Sequence, residues 1–229
     1  MKRTSLIVIF LLVSVTQNIM FYMQDINSQS FVIGFPDGLN EFSNLILLFI
    51  LFAPLVIIFF FFSGSLQDLT NGYGKLVIIR NYSKNILLMK VIFKSLIETF
   101  FIISIQTFES YMFRTQNIFF DLSFIKSLCV YFVTVFSLVV MEMLIELNTD
   151  AQYACLAVII YTFVSYSLKK IALNSLIIKV IFFPCVLFER FPEARIFEKN
   201  FLLLIILLIF VNLFLIILTL KRFRNIDIY

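Results

Sequence analysis

Long apolar runs separated by short charged or turn-forming clusters make up most of the 229-residue chain. A helix needs about 20 mainly apolar residues to cross a hydrocarbon core of roughly 30 Å, so each run of that length predicts one transmembrane helix. Six are read, at residues 5–23, 45–62, 86–108, 124–145, 151–168 and 201–220. The first follows Met1-Lys2-Arg3, yet Tyr22-Met23-Gln24-Asp25 offers no small-x-small cleavage site, so the run reads as a span and not as a leader. The second is free of charge and is expected to kink at Pro54. The third carries Lys90, Lys94 and Glu98, the last two four residues apart on one helical face where they can pair. Only residues 147–150 separate the fourth run from the fifth, which predicts a tight helical hairpin.

Residues 171–188 are apolar but broken by Asn174, Ser175, Lys179 and Pro184. A seventh span there would export the tail Lys221-Arg222-Phe223-Arg224, against the tendency of lysine and arginine to stay in short cytoplasmic loops. With six spans the cytoplasmic side holds Lys2, Arg3, Lys75, Arg80, Lys84, Lys90 and that tail, while the outer loop 24–44 carries Asp25, Asp37 and Glu41 and no basic residue. Both termini are therefore expected in the cytoplasm. Residues 171–188 then read as a re-entrant helical segment before the sixth span, its broken backbone sheltered by protein.

Composition strengthens the membrane reading. The chain is 62% hydrophobic and 14% charged, with a mean hydropathy of +1.04, against roughly 45–50% apolar and 25% charged in soluble domains. No region outside the runs is long enough for a separate hydrophobic core, so residues 1–229 form one transmembrane domain of an all-α membrane protein. The formal charge of +4 is small and scattered, which points away from nucleic acid. There is no histidine, which removes histidine-based metal sites, catalytic triads and proton relays. Cys129, Cys155 and Cys185 are far apart and form no CxxC pair, so they read as small buried hydrophobes and not as a disulfide or zinc framework.

The link between the second and third spans is unlike an ordinary loop. Asn71-Gly72 with Gly74 marks a turn, and Leu76-Val77-Ile78-Ile79 is too apolar for a free loop and too short to cross. A short surface helix over about 75–84 would bury Leu76, Ile79 and Ser83 on one stripe and leave Lys75, Ile78 and Tyr82 for a partner. A plain interfacial anchor with a basic patch for anionic lipid is the competing reading.

The order of these features resembles the type-2 ABC transporter permeases. The likeness rests on a glycine-marked turn, Gly72-Tyr73-Gly74, and then a short helix of apolar-Arg-x-Tyr-Ser-Lys form, Ile79-Arg80-Asn81-Tyr82-Ser83-Lys84, running into the third span. The hairpin at 147–150, the broken segment 171–188 and the ending Lys221-Arg222-Phe223-Arg224-Asn225-Ile226-Asp227 are similar to that family as well. The resemblance implies a coupling helix in which Lys75, Leu76, Ile78, Ile79, Arg80, Tyr82, Ser83 and Lys84 seat in a groove of a separate ABC ATP-binding subunit. It also implies a second permease, as homodimer or heterodimer, in a bacterial plasma membrane. ATP with its magnesium would bind the partner subunit only, since no G-x-x-x-x-G-K-[ST] loop occurs in this chain. The chain departs from many members in lacking a large outer domain and an obvious amphipathic helix before the first span.

Ionisable residues within spans are the remaining candidates. Lys94 and Glu98 are expected to neutralise each other. Glu142 and Glu146 end the fourth span four residues apart, where unpaired carboxylates repel, and their expected partners are Lys90 or Lys94 across the helix interface. No set of serine with histidine, paired aspartates or HExxH supports an intramembrane enzyme, and no catalytic, cofactor or metal site is read. The expected function is the membrane subunit of an ABC exporter for a hydrophobic or amphipathic substrate such as an antimicrobial peptide. The alternative is a non-transporting immunity or regulatory protein that binds its partner in the bilayer.

Overall fold

Apolar runs without interior charge gain most from keeping their backbone hydrogen bonds within the segment, and the computed structural model is helical in every element that it describes. It describes residues 3–23, 45–67, 69, 83–113, 122–168, 180–188 and 195–225. Among these stand six α-helices: α1 (Arg3–Met23), α2 (Leu45–Phe62), α3 (Lys84–Met112), α4 (Leu122–Glu146), α5 (Ala151–Ser167) and α6 (Arg195–Arg224). A 3₁₀ helix, Phe183–Phe188, precedes α6, and the described residues contain no strand. Two helical stretches, Phe124–Glu146 and Phe201–Arg224, are long and apolar enough to cross a membrane; the apolar stretches Thr4–Met20, Leu51–Phe62 and Ala151–Ser167 are shorter.

Helix ends follow local chemistry. Ser83 is extended at φ −64° and ψ 124°, and its hydroxyl accepts a hydrogen bond from the Ile86 N–H at 3.4 Å, satisfying one of the first-turn donors of α3. Ser83 and Lys84, expected at the end of a coupling helix over 75–84, are thus the cap and first residue of α3 instead. Residues 75–82 lie outside the described residues. Gly64 ends α2 at φ +84°, a left-handed conformation that glycine adopts without cost. At the other end of the chain, α6 closes on Lys221, Arg222 and Arg224, cations placed against the negative end of its dipole.

The fourth helix is the centre of the molecule. Residues 134–140 are buried on every side, and α4 packs against α2, α3, α5, α6 and the 3₁₀ helix. Its apolar stretch is 61% buried, against 17% for that of α6, so α4 is a core helix and α6 a flanking one. Asn212 on α6 donates to the Val133 carbonyl at 3.2 Å and to the Ser137 hydroxyl, joining the two helices at mid-length. Of the expected re-entrant segment 171–188, residues 171–179 lie outside the described residues. Its described end carries Pro184 within the 3₁₀ turn, where an α-helical bond would be lost, and that turn packs on α4 and α5 with Cys185 and Val186 buried.

Polarity is inverted on α3. Ser95, Thr99, Gln106 and Ser110 face inward and buried, whereas Phe93, Phe101 and Phe108 are 63%, 61% and 60% exposed. The buried hydroxyls bond back to their own helix, Ser95 to Ile92 O and Thr99 to Ser95 O, both at 2.7 Å, and Tyr131 on α4 donates to Gln106 at 3.3 Å. Polar inside and aromatic outside is the reverse of what water selects. The three cysteines are free thiols; Cys155 and Cys185 are buried as expected, but Cys129 is exposed on the outward side of α4.

Candidate functional site

Three chain segments meet at one end of the bundle. The first is the turn that follows α2, where the Ser65 N–H reaches Phe62 O at 3.1 Å and the Leu69 N–H reaches Leu66 O at 3.0 Å. The N–H groups of Leu66 and Gln67 open this new turn and have no helical acceptor behind them. Glu146, the last residue of α4, supplies one: its Oε1 accepts from Leu66 N at 3.0 Å and from Gln67 N at 2.8 Å. The carboxylate thus caps a turn that lies 80 residues away in sequence. Beside it the Ser63 hydroxyl donates to the Ala151 carbonyl, the first residue of α5, at 3.2 Å.

The second segment is the α4–α5 hairpin. It is held by Asn148 N–H and Thr149 N–H on the Ile145 carbonyl, at 2.9 and 3.0 Å. The third is the end of α6, where Arg222 Nε donates to Asn148 Oδ1 at 2.7 Å and Phe223 is fully buried. The exit of α2, the hairpin and the end of α6 are therefore fastened together, and the linking segment to α3 leaves from this junction.

One turn before Glu146 lies Glu142, 1% exposed. Among the described residues neither of its carboxyl oxygens has a hydrogen-bond partner. The expected pairing of Glu142 and Glu146 with Lys90 or Lys94 is not what the structure shows. Lys94 bridges Glu98 at 3.7 Å on the outer face of α3, and Glu146 turns instead to backbone donors on the α2 exit. Glu142 and Glu146 are brought together by their helical spacing; Lys94 and Glu98 stand apart from them. Ser83 and Lys84 begin α3, and Lys75, Leu76, Ile78, Ile79, Arg80 and Tyr82 lie outside the described residues. Ser63, Gly64 and Arg222 were missed as members of the site. The Ser63-Gly64-Ser65 turn signal was present, but nothing in it names the distant carboxylate.

Among the described residues no group of three histidines, cysteines, aspartates or glutamates could hold a metal ion. The junction ties three chain segments together beside the buried Glu142 carboxyl. A family profile matches residues 5–229, nearly the whole chain, and is described as protein of unknown function, DUF2705. The chain belongs to the DUF2705 family. No curated protein and no solved structure matches it. The profile of this DUF2705 chain spans all six helices and the junction that joins three of them.

Proposed function

We propose that this DUF2705 protein is the membrane-spanning permease subunit of an ATP-driven ABC exporter. Its six α-helices are six crossings, with both termini in the cytoplasm of a multi-pass plasma-membrane protein and 171–188 re-entrant from the outer face. The linking segment that leaves the junction carries the coupling helix, Lys75 to Lys84, seated on a separate ATP-binding subunit that holds ATP and magnesium. A second permease completes the pathway for a hydrophobic or amphipathic substrate such as an antimicrobial peptide.

The observation that carries this reading is the hold of Glu146 on the Leu66 and Gln67 N–H groups. A segment that takes displacement from a soluble motor can move the membrane helices only if its root is fixed to them. Here the root is fixed to α4, whose apolar stretch is 61% buried, and through Ser63 to α5. Displacement at the linking segment would then pass into the α4–α5 hairpin and, through Arg222, to the end of α6.

The test is co-purification. The tagged chain, expressed with its genomic neighbours, is expected to bring down an ATP-binding subunit, and Arg80→Glu is expected to lose it while the chain stays in the membrane. A chain that purifies alone, or a subunit that remains bound to the Arg80→Glu variant, overturns the coupling-helix assignment.

A further inference from the structure

A second buried polar layer lies between α1, α3 and α4. Ser14, Gln17 and Asn18 share one face of α1 with Phe10 and are 0%, 2% and 2% exposed. That helix packs on α2 and α3. The described buried residues of α2 are all apolar, so the polar face of α1 meets its like on α3, where Gln106 and Ser110 are buried and Glu109 is half-buried. Ser14 stands beside the Glu109 carboxyl, and Tyr131 of α4 holds Gln106. Tyr131 precedes Glu146 by 15 residues on α4, or ~22 Å along its axis, so this layer lies toward the end of the bundle opposite the junction.

Polar side chains buried between membrane helices ordinarily bond across the interface or back to their own helix. Some here do so: Asn18 Nδ2 donates to Ser14 O at 3.0 Å and Ser110 Oγ to Thr107 O at 2.8 Å. Ser14 Oγ, Gln17 Nε2 and Glu109 Oε2 do not. All three atoms are sealed from the surface, and none has a hydrogen-bond partner among the described residues. Lys126, five residues before Tyr131 on α4, is engaged with the Phe201 ring of α6 and not with Glu109. The three orphaned groups therefore do not act as glue between helices, and their burial goes uncompensated within the layer.

We propose that this layer binds a primary ammonium group with a neighbouring carbonyl, the chemistry of the free amino terminus of a peptide. Glu109 Oε2 and Ser14 Oγ are acceptors for the ammonium N–H donors, one anionic and one neutral, and the Gln17 amide supplies the donor for the carbonyl. A single water matches these hydrogen bonds but brings no charge to the carboxylate, whereas an ammonium brings both. A metal ion answers the two oxygens and leaves the Gln17 N–H donor unanswered. Glu109 is half-buried, so the layer meets the surface at the residue that carries the charge. This site deepens the permease reading and its outward placement rests on that reading: it takes the amino-terminal end of a peptide substrate from the outer side of the bundle.

The experiment follows the melting temperature of the purified full chain in detergent with leucinamide, N-acetylleucinamide, isopentylamine or sodium chloride as probe. Leucinamide carries ammonium and carbonyl together and is expected to raise the melting temperature saturably. N-acetylleucinamide lacks the cation and is expected to leave it unchanged. Isopentylamine lacks the carbonyl and is expected to bind about tenfold more weakly than leucinamide, the loss of one hydrogen bond. Gln17→Leu is expected to bring leucinamide down to the isopentylamine level and leave isopentylamine itself unchanged, a split that a merely structural role does not produce. Glu109→Gln is expected to weaken both amines about tenfold. The comparison of probes on the parent chain needs no variant to fold. No shift with any probe, equal shifts from the two leucinamides, or a sodium chloride shift that matches leucinamide overturns the inference. Co-purification of the ATP-binding subunit is read separately: if leucinamide fails to bind while that subunit still comes down, the site falls and the permease reading stands.

Discussion

Glu142 and Glu146 sit one helical turn apart and do opposite things. Glu146 is 5% exposed and accepts two backbone N–H groups; Glu142 is 1% exposed and its oxygens accept none. Hydrogen bonds to a charged acceptor contribute about 1.5–3 kcal/mol and neutral ones about 1 kcal/mol. Glu146→Gln should therefore cost about 1 kcal/mol, because one oxygen can still face both donors. Glu146→Met removes the acceptor shared by one buried and one part-buried N–H and should cost roughly 2–4 kcal/mol. Glu142→Met removes a buried carboxyl that bonds to nothing and should leave stability unchanged or higher by about 1 kcal/mol. Thermal unfolding in detergent checks the order, with Glu146→Met lowest and Glu142→Met at or above the parent. On the permease reading proposed above, where a carboxyl within a span is a candidate for function, Glu142→Met should also lower transport while its melting temperature holds. Equal losses from both methionine variants would show that the carboxylates act as one structural pair.

At the level of elements, the break after α2 is set by one residue. Gly64 has φ +84°, and an added Cβ would meet nothing within 4 Å, so any effect of substitution is backbone strain alone. Gly64→Ala should cost about 1–2 kcal/mol, read as a lower melting temperature, and Gly64→Asn less, since asparagine tolerates that region. Insertion should be unaffected in both. The helices were legible in the sequence because their apolar runs are bounded by polar clusters, so that 45–62 coincides with α2 and 151–168 matches α5 to within a residue. The inward polar stripe of α3 was not, since Ser95, Thr99, Gln106 and Ser110 are separated by the phenylalanines that face the other way. The partner of Glu146 was beyond reach for a different reason: a backbone N–H carries no residue identity, so Leu66 and Gln67 gave no sign of being donors. Opposite charge pointed to Lys90 and Lys94, and both stand on the exposed face of α3.

For the whole molecule, the junction fixes which ends lie together regardless of how many helices cross. Asn148 in the α4–α5 hairpin and Arg222 at the end of α6 share a hydrogen bond of 2.7 Å, so they must lie on the same side of any membrane. Met112, at the far end of α3 and 64% exposed, belongs to the opposite side in the six-crossing arrangement. In the Cys129→Ser background, Asn148→Cys and Lys221→Cys should both be shielded from a membrane-impermeant maleimide in intact cells and both react after permeabilisation. Met112→Cys should react in intact cells. If Asn148→Cys and Lys221→Cys report different sides, the junction itself is wrong. If both react from outside, the junction stands but the orientation inverts, and with it the seat of any cytoplasmic motor. The basic ends make that inversion unfavourable: Lys221, Arg222 and Arg224 close α6, and each would have to be carried across against the bias that holds such residues on the cytoplasmic side.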